Sequence, residues 1–358
     1  MLDYPLSPPE SSSAGGRRGK RFIWTFTWSV AAALLAAGAL YMTFRHLDLD
    51  RLFGVVGNAK MGWMVALGVS IPLEQLVRGW KWRQILFDLR PIGSLRLFGA
   101  VMAGYFANML VPVGLSPLVR AWLVARLEGM AVSTVLLTTV IERFVDGIVF
   151  AFIVGLLITF AALPMVDGDI RLGLMAAGGG SLVLFAGLMG VLFRYKNHLN
   201  VPESFVGRNI AWLERAFGGR LVGLGNGLAE GIIWPKSRAR GVGVIAASIA
   251  MKVISTSQFV WAGLAFGVLL SPPDYLFIMV FTSFALIMSR FVRIPGGSVI
   301  GSAFALKLLG IADEEALTMV LVVHAASFLL IAGIGALALW KSGLTIMNFR
   351  QYIKRQGD

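Results

Sequence analysis

The sequence predicts an all-α polytopic transmembrane bundle of about seven to eight spans, with one or two re-entrant or broken helices. Three observations carry this expectation. The 358 residues are 57% hydrophobic and 14% charged, with a mean hydropathy of +0.77, whereas soluble domains carry about 25% charged residues. Several nearly charge-free windows of about 20 residues can each cross a hydrocarbon core of about 30 Å. Two of the apolar stretches are broken by Pro and Gly, at VPVGLSP and RIPGG.

Composition also narrows the function. With no cysteine there is no thiolate nucleophile, disulfide or Cys-based metal site. His46, His198 and His324 are scattered and form no paired-ligand spacing, so neither a metal nor another cofactor is expected. The net charge of +13 reads as basic loops against anionic lipid. Nucleic acid is not an expected partner, because no soluble domain is large enough to present a groove.

The elements follow in order. Residues 1–20 are rich in Pro, Ser and Gly and read as a disordered basic tail. Residues 21–341 form the membrane domain, and its first span, 22–43, reads as an uncleaved signal anchor behind Arg17, Arg18, Lys20 and Arg21. The second span, about 61–79, contains Pro72 and the i,i+4 pair Glu74/Arg78, read as structural. It runs into RGWKWRQILFDLR, where Arg78, Lys81, Arg83 and Arg90 alternate with Trp80 and Trp82 as at a cytoplasmic interface.

A full crossing by residues 97–128 would export Arg120 and Arg126 and invert every later loop. The expectation is therefore a hairpin entering from the cytoplasm and turning at Pro112–Pro117. Residues 131–163 then run outward and 172–193 return. The segment 194–240 carries eight Lys/Arg and reads as cytoplasmic and partly amphipathic. Residues 242–270 cross outward, with Lys252 snorkelling to the cytoplasmic side, and 275–292 return. The chain breaks at Pro295, Gly296 and Gly297, and a last span covers about 316–340 before the basic tail 342–358. If the broken segment 295–312 crosses, the C-terminus is cytoplasmic; if it re-enters, the C-terminus is outside. The two breaks read either as an inverted repeat or as coincidental loops; paired interruptions of this kind point to transporter binding sites.

The chemistry concentrates in TTVIERFVDGIV. Glu142 and Asp146 share a helix face, and Arg143 stands three residues before Asp146, a spacing that allows an intrahelical pair. Charges at the helix centre cost about 2.5–3.5 kcal/mol each on insertion scales, so they face a bundle interior or a cavity. The 17 apolar residues after Asp146 reach about 25 Å, which puts the charges toward the cytoplasmic end, in range of Asn108, Ser116 and Arg120. Two readings stand: a salt-bridge network fastening the hairpin, or a headgroup site. In the second, Arg120 and Arg143 bind an anionic group with Glu142, Asp146, Asn108 and Lys307 around it. Glycosidase-type catalysis by Glu142 and Asp146 is disfavoured, because two carboxyls on one helix cannot flank a sugar. His324 reads as a hydrogen-bonded core histidine.

The series RGWKWR, FANMLVPVGLSPLVRAWLVARLEGM, STVLLTTVIERFVDGIV and PGGSVIGSAFALKLLGI resembles the transmembrane region of lysylphosphatidylglycerol synthases over about residues 20–340. The resemblance implies a multi-spanning bacterial inner-membrane domain with broken helices, associated with moving lipids between leaflets, its N-terminus cytoplasmic. Asn108, Pro112, Arg120, Glu142 and Arg143 match its first block; Pro295, Gly296 and Gly297 match its second. Ser116-Pro117 and Ser302 stand where the family has acidic residues. The sequence runs about 18 residues past the last span, so a self-contained aminoacyl-transferring synthase is not expected. The expected function is transport of a lipid or lipid-linked precursor, with no enzymatic activity. The alternative is a non-transporting accessory subunit of a lipid or envelope-glycan pathway, working beside its enzymes.

Overall fold

The computed structural model describes residues 57, 59–110, 116–160, 168–198, 233–292 and 296–341. Among them every regular element is a helix. These are α1 (Met61–Leu86), α2 (Ser94–Leu110), α3 (Ser116–Glu128), α4 (Val132–Phe160), α5 (Gly168–His198), α6 (Arg238–Phe266), α7 (Pro272–Val292), α8 (Gly297–Leu308) and α9 (Asp313–Lys341). The predicted tail 1–20, the first span, Pro112, Pro295, the central part of the amphipathic segment and the basic C-terminal tail lie outside the described residues. α6 and α9 are long and apolar enough to cross a membrane by length and composition, and shorter apolar stretches occur in α5, α7 and α8.

α1 and α6 form an antiparallel pair along their whole lengths. Lys60 N donates to Ala265 O at 2.9 Å, Trp63 stacks on Trp261 with centroids 5.5 Å apart, and Gln258 Nε2 donates to Glu74 Oε2 at 2.9 Å. The predicted helix end near Gly79 is not seen. Helix α1 continues to Leu86, and Arg78, Lys81 and Trp82 lie on its buried side with Leu67, Ile71 and Ile85. The sequence RGWKWRQIL keeps the 3.6-residue apolar stripe going, which outweighs its interfacial composition.

Two helical hairpins flank this pair. In the first, α2 and α3 run antiparallel. Arg96 Nη1 meets Glu128 Oε1 at 2.5 Å at the open end, and deeper in, a Cβ on Gly104 would lie 2.8 Å from Ser116 O. In the second, α7 and α8 run antiparallel, with Thr282 Oγ1 and Ser302 Oγ 2.8 Å apart. By rise, α3 spans about 20 Å and α8 about 18 Å, short of a hydrocarbon core of about 30 Å.

Helix α9 shows how the hairpins relate. Gly335 packs against Met102 and Phe106 of α2, and Ala338 against Gly99, so the C-terminal end of α9 lies beside the open end of the first hairpin. The N-terminal end of α9 follows α8 directly, and His324, near its middle, meets Ser298 in the first turn of α8. The hairpins therefore enter from opposite ends of the bundle. The C-terminal end of α9 shares its end with Asp88 and Arg90 of the α1–α2 connection, Arg96 of α2, Glu128 of α3 and Arg240 of α6, which meets Asp88.

The two short helices end in the same way. Gly129 after α3 has φ 66° and Gly310 after α8 has φ 80°, both left-handed. Met130 N donates to Ala125 O at 2.9 Å and Ile311 N to Leu306 O at 3.2 Å, each reaching back five residues. This is the Schellman arrangement, which needs a residue without a Cβ penalty at that position. A long helix, α4 or α9, follows each.

The two largest groups of buried apolar residues form separate layers. One holds Leu67, Ile71, Phe150, Val154, Phe259 and Phe277. The other holds Trp82, Leu86, Leu97, Val101, Trp122 and Val135. Along α1 and α4 the charged residues fall between them.

Candidate functional site

α1, α3, α4 and α6 supply the polar layer. Arg120 projects from α3 and Glu142 from α4, exposed by 1% and 0%. Arg120 Nη2 donates to Glu142 Oε2 at 2.7 Å, and the Arg120 guanidinium lies over the Trp82 ring, 4.9 Å from its centroid. Trp82 is held in turn by Nε1–H donation to Thr138 Oγ1 at 3.0 Å. A carboxylate and an aromatic face thus bind Arg120, which fastens α3 to α4.

Asp146, one turn after Glu142, is held from two other helices. Lys81 Nζ of α1 lies 2.5 Å from Asp146 Oδ1, and Ser248 Oγ of α6 donates to the same oxygen at 2.9 Å. Lys81 is fully buried, and its Nζ is also 3.5 Å from Glu142 Oε1. A buried lysine bridging two carboxylates is the arrangement under which burial is tolerated.

Arg78 is held more loosely. Its Nη1 is 3.6 Å from both Glu142 Oε1 and Asp146 Oδ2, its Nη2 is 3.6 Å from Glu74 Oε1, and its Nε donates to Gln75 Oε1 at 3.2 Å. Arg78 Nη1 and Glu142 Oε1 are buried without a hydrogen-bond partner, as are Arg120 Nε and, on α2, Asn108 Oδ1. The Arg78 guanidinium also approaches the Tyr105 ring at 6.0 Å.

Two further cations border the layer. Arg143 is within electrostatic range of Arg78, Glu142, Asp146 and Tyr105 and of Arg120. It forms no ion pair within 4 Å among the described residues. The intrahelical Arg143–Asp146 pair is therefore not made, because Asp146 points to α1 and α6 rather than along its own helix. Lys252 of α6 does not snorkel to the end of the bundle. Its Nζ lies over the Phe150 ring, 4.8 Å from the centroid, in range of Asp146 and Glu74.

The sequence-predicted residues thus separate into groups. Arg120, Glu142, Asp146 and Arg143 come together. Asn108 stands one turn beyond Tyr105 on α2. Lys307 is exposed in the last turn of α8, toward the N-terminal end of α9 and away from the hairpin carrying Arg120. Pro117 lies in the first turn of α3, where the missing N–H costs nothing. Gly296 caps α8 with φ 72°, and Gly297 is its first residue. The charges stand mid-helix: Asp146 is at the centre of the 29-residue α4, because Val132–Ile141 extend the helix by nearly three turns before them.

Sequence reasoning missed Lys81, Lys252 and the reach of Arg78. The signal was available. Glu74, Arg78 and Lys81 follow i,i+4 and i,i+3 spacing, and their signs complement Glu142 and Asp146 on another apolar helix.

Comparisons with known proteins agree with this architecture. The chain is 25% identical over 202 residues to glycosyltransferase AglD of Haloferax volcanii, an alignment covering 50% of this chain and 32% of that protein. The chain thus spans about a third of that relative's length. No solved structure matches it. The family described as the lysylphosphatidylglycerol synthase TM region matches residues 29–335, so this all-helical chain, with its buried ionic layer, is a membrane protein belonging to that family.

Proposed function

We propose that the protein is a flippase-like transporter that binds the anionic headgroup of a lipid or lipid-linked precursor and moves it across the membrane. One observation carries this reading: among the described residues the polar layer holds five cations, Arg78, Lys81, Arg120, Arg143 and Lys252, against three carboxylates, Glu74, Glu142 and Asp146. A salt-bridge network built only for stability has no use for surplus positive charge, here including the half-buried Arg143 and Lys252, whereas an anion site needs it. The two short hairpins entering from opposite ends support the reading, since interrupted helices in paired halves border transporter sites. They fit an inverted repeat with re-entrant segments. The basic end, with Arg90, Arg96 and Arg240, fits the cytoplasmic side of a bacterial inner membrane. In this reading the chain performs no chemistry of its own, and its partners are the membrane lipid and the enzymes of the lipid pathway.

Vesicles reconstituted with the purified protein and a fluorescent lipid test the proposal. Translocation should exceed that of empty vesicles for an anionic lipid, and Arg143→Met should lower it without lowering thermal stability in detergent. Rates equal to empty vesicles for anionic, zwitterionic and prenyl-linked lipids alike would end the transport reading.

A second reading is supported by Arg120, which Glu142 and Trp82 already occupy. On this account the layer is a fastening, and the protein is an accessory subunit of a lipid or glycan pathway, in keeping with its likeness to a protein named as a glycosyltransferase. Arg143→Met would then lower thermal stability and leave lipid binding unchanged.

A further inference from the structure

Taken together, the five cations are not equivalent. Lys81 and Arg120 are committed, at 2.5 Å to Asp146 and 2.7 Å to Glu142. The other three stand on three helices and hold no contact shorter than 3.6 Å to a carboxylate among the described residues. Arg78 has a buried Nη1 without a hydrogen bond, Arg143 has no ion pair, and Lys252 rests on the Phe150 ring. Removing the two committed pairs leaves Arg78, Arg143 and Lys252 facing Glu74. Glu74 is itself shared between Arg78 and Gln258. Among the described residues, two positive charges remain without a counter-charge.

In a low-dielectric interior, uncompensated charge costs several kcal/mol per ion, so an occupant is favoured most when it brings the sum to zero. We infer that the site's ligand carries two negative charges on one group, a phosphate monoester or a diphosphate esterified at both ends, rather than the single charge of a phosphodiester headgroup. The inference rests on the proposal that this layer is a headgroup site and adds the ligand's charge to it. The geometry suits such a group. Arg78 and Arg143 offer planar forks that match phosphate oxygens in pairs, and Lys252 offers a point charge from α6, in range of Asp146 and Arg78. Tyr105, in range of both Arg78 and Arg143, adds a hydroxyl from α2. Lys252 is then a specificity residue: without it, one positive charge remains, and a monoester or diphosphate loses its advantage.

The test uses the full chain in nanodiscs of phosphatidylcholine, with binding followed by displacement of a fluorescent prenyl phosphate, a monoester. Competitors are phosphatidic acid, phosphatidylglycerol, further phosphatidylcholine and inorganic phosphate. The wild-type protein should prefer the prenyl phosphate and phosphatidic acid to phosphatidylglycerol by at least about tenfold, equivalent to about 1.4 kcal/mol. Lys252→Gln should bring that ratio close to one, and Lys252→Arg should restore it. If Lys252→Gln does not fold, Arg143→Gln removes the same charge and should compress the ratio likewise. Displacement by inorganic phosphate as effective as by the lipid supports the dianion and moves its source from the bilayer to solution. Equal affinity for phosphatidylglycerol and prenyl phosphate, or a ratio unchanged in both variants, overturns the dianion assignment while leaving the headgroup proposal standing. Absence of binding by every lipid, together with background translocation, ends the headgroup proposal itself.

Discussion

The two hairpins use one backbone device and two chemistries. Each consists of a helix, a Pro/Gly break, a short helix closed by a left-handed glycine, and a long helix packed antiparallel to the short one. Between α3 and α4 the contact is ionic, Arg120 to Glu142 at 2.7 Å. Between α8 and α9 it is neutral, His324 Nε2 to Ser298 Oγ at 3.2 Å, with His324 Nδ1 donating to Val320 O at 2.9 Å. Ser302 bonds Thr282 and the Ser298 carbonyl instead of meeting a cation. The comparison teaches that the caps make the architecture and the side chains at mid-helix make the site. Only the first hairpin stands against α1, whose Arg78 and Lys81 supply complementary charge.

The comparison can be broken most severely at Glu142. Glu142→Leu strands Arg120 in the interior and leaves Lys81 with Asp146 alone, and the expected loss is about 3–5 kcal/mol, read as a fall in the thermal unfolding midpoint in detergent. Adding Arg120→Leu should recover part of it, because an apolar pair replaces a half-broken ionic one. A single-variant loss below about 1 kcal/mol, the scale of exposed pairs, would mean that α3 is not fastened here.

The shared device is tested by the matched variants Gly129→Ala and Gly310→Ala. Each forces a Cβ into left-handed backbone at about 1–2 kcal/mol, and the two losses should agree in a thermal denaturation series. A large loss in one and none in the other would separate the hairpins as unrelated loops. The smallest effect is expected from Ser298→Ala, which removes the neutral contact to His324 at about 1 kcal/mol. A loss as large as that of Glu142→Leu would show that the neutral hairpin carries hidden ionic character.

Much of this was legible beforehand. Helices α4, α6, α7 and α9 fall within a few residues of the apolar runs that predict them, because long uninterrupted hydrophobic stretches leave little choice of element. Pro and Gly foreshadowed the short helices that begin at Ser116 and Gly297, and the similarity of the two Gly boundaries foreshadowed the matched caps. Intrahelical spacing misled for Arg143 and Asp146, since an i,i+3 pair is only permitted by a helix and Asp146 found closer partners across it. For Lys252, a long stem in the cytoplasmic half of a predicted span reads as snorkelling, whereas the structure places it at the middle of α6 on the Phe150 ring.

The sequence by itself determined the membrane class, the helix order, the two interruptions and the presence of Glu142, Arg143 and Asp146 within an apolar helix. These follow from local properties: hydropathy, backbone restriction by Pro and Gly, and the 3.6-residue period. Only the tertiary structure decided which charge meets which. The pairing of Arg120 with Glu142 and of Lys81 with Asp146, and the three cations left over, depend on the approach of α1, α3, α4 and α6. Coulomb energy is set by distance through space, and no spacing along one chain segment encodes the distance to another.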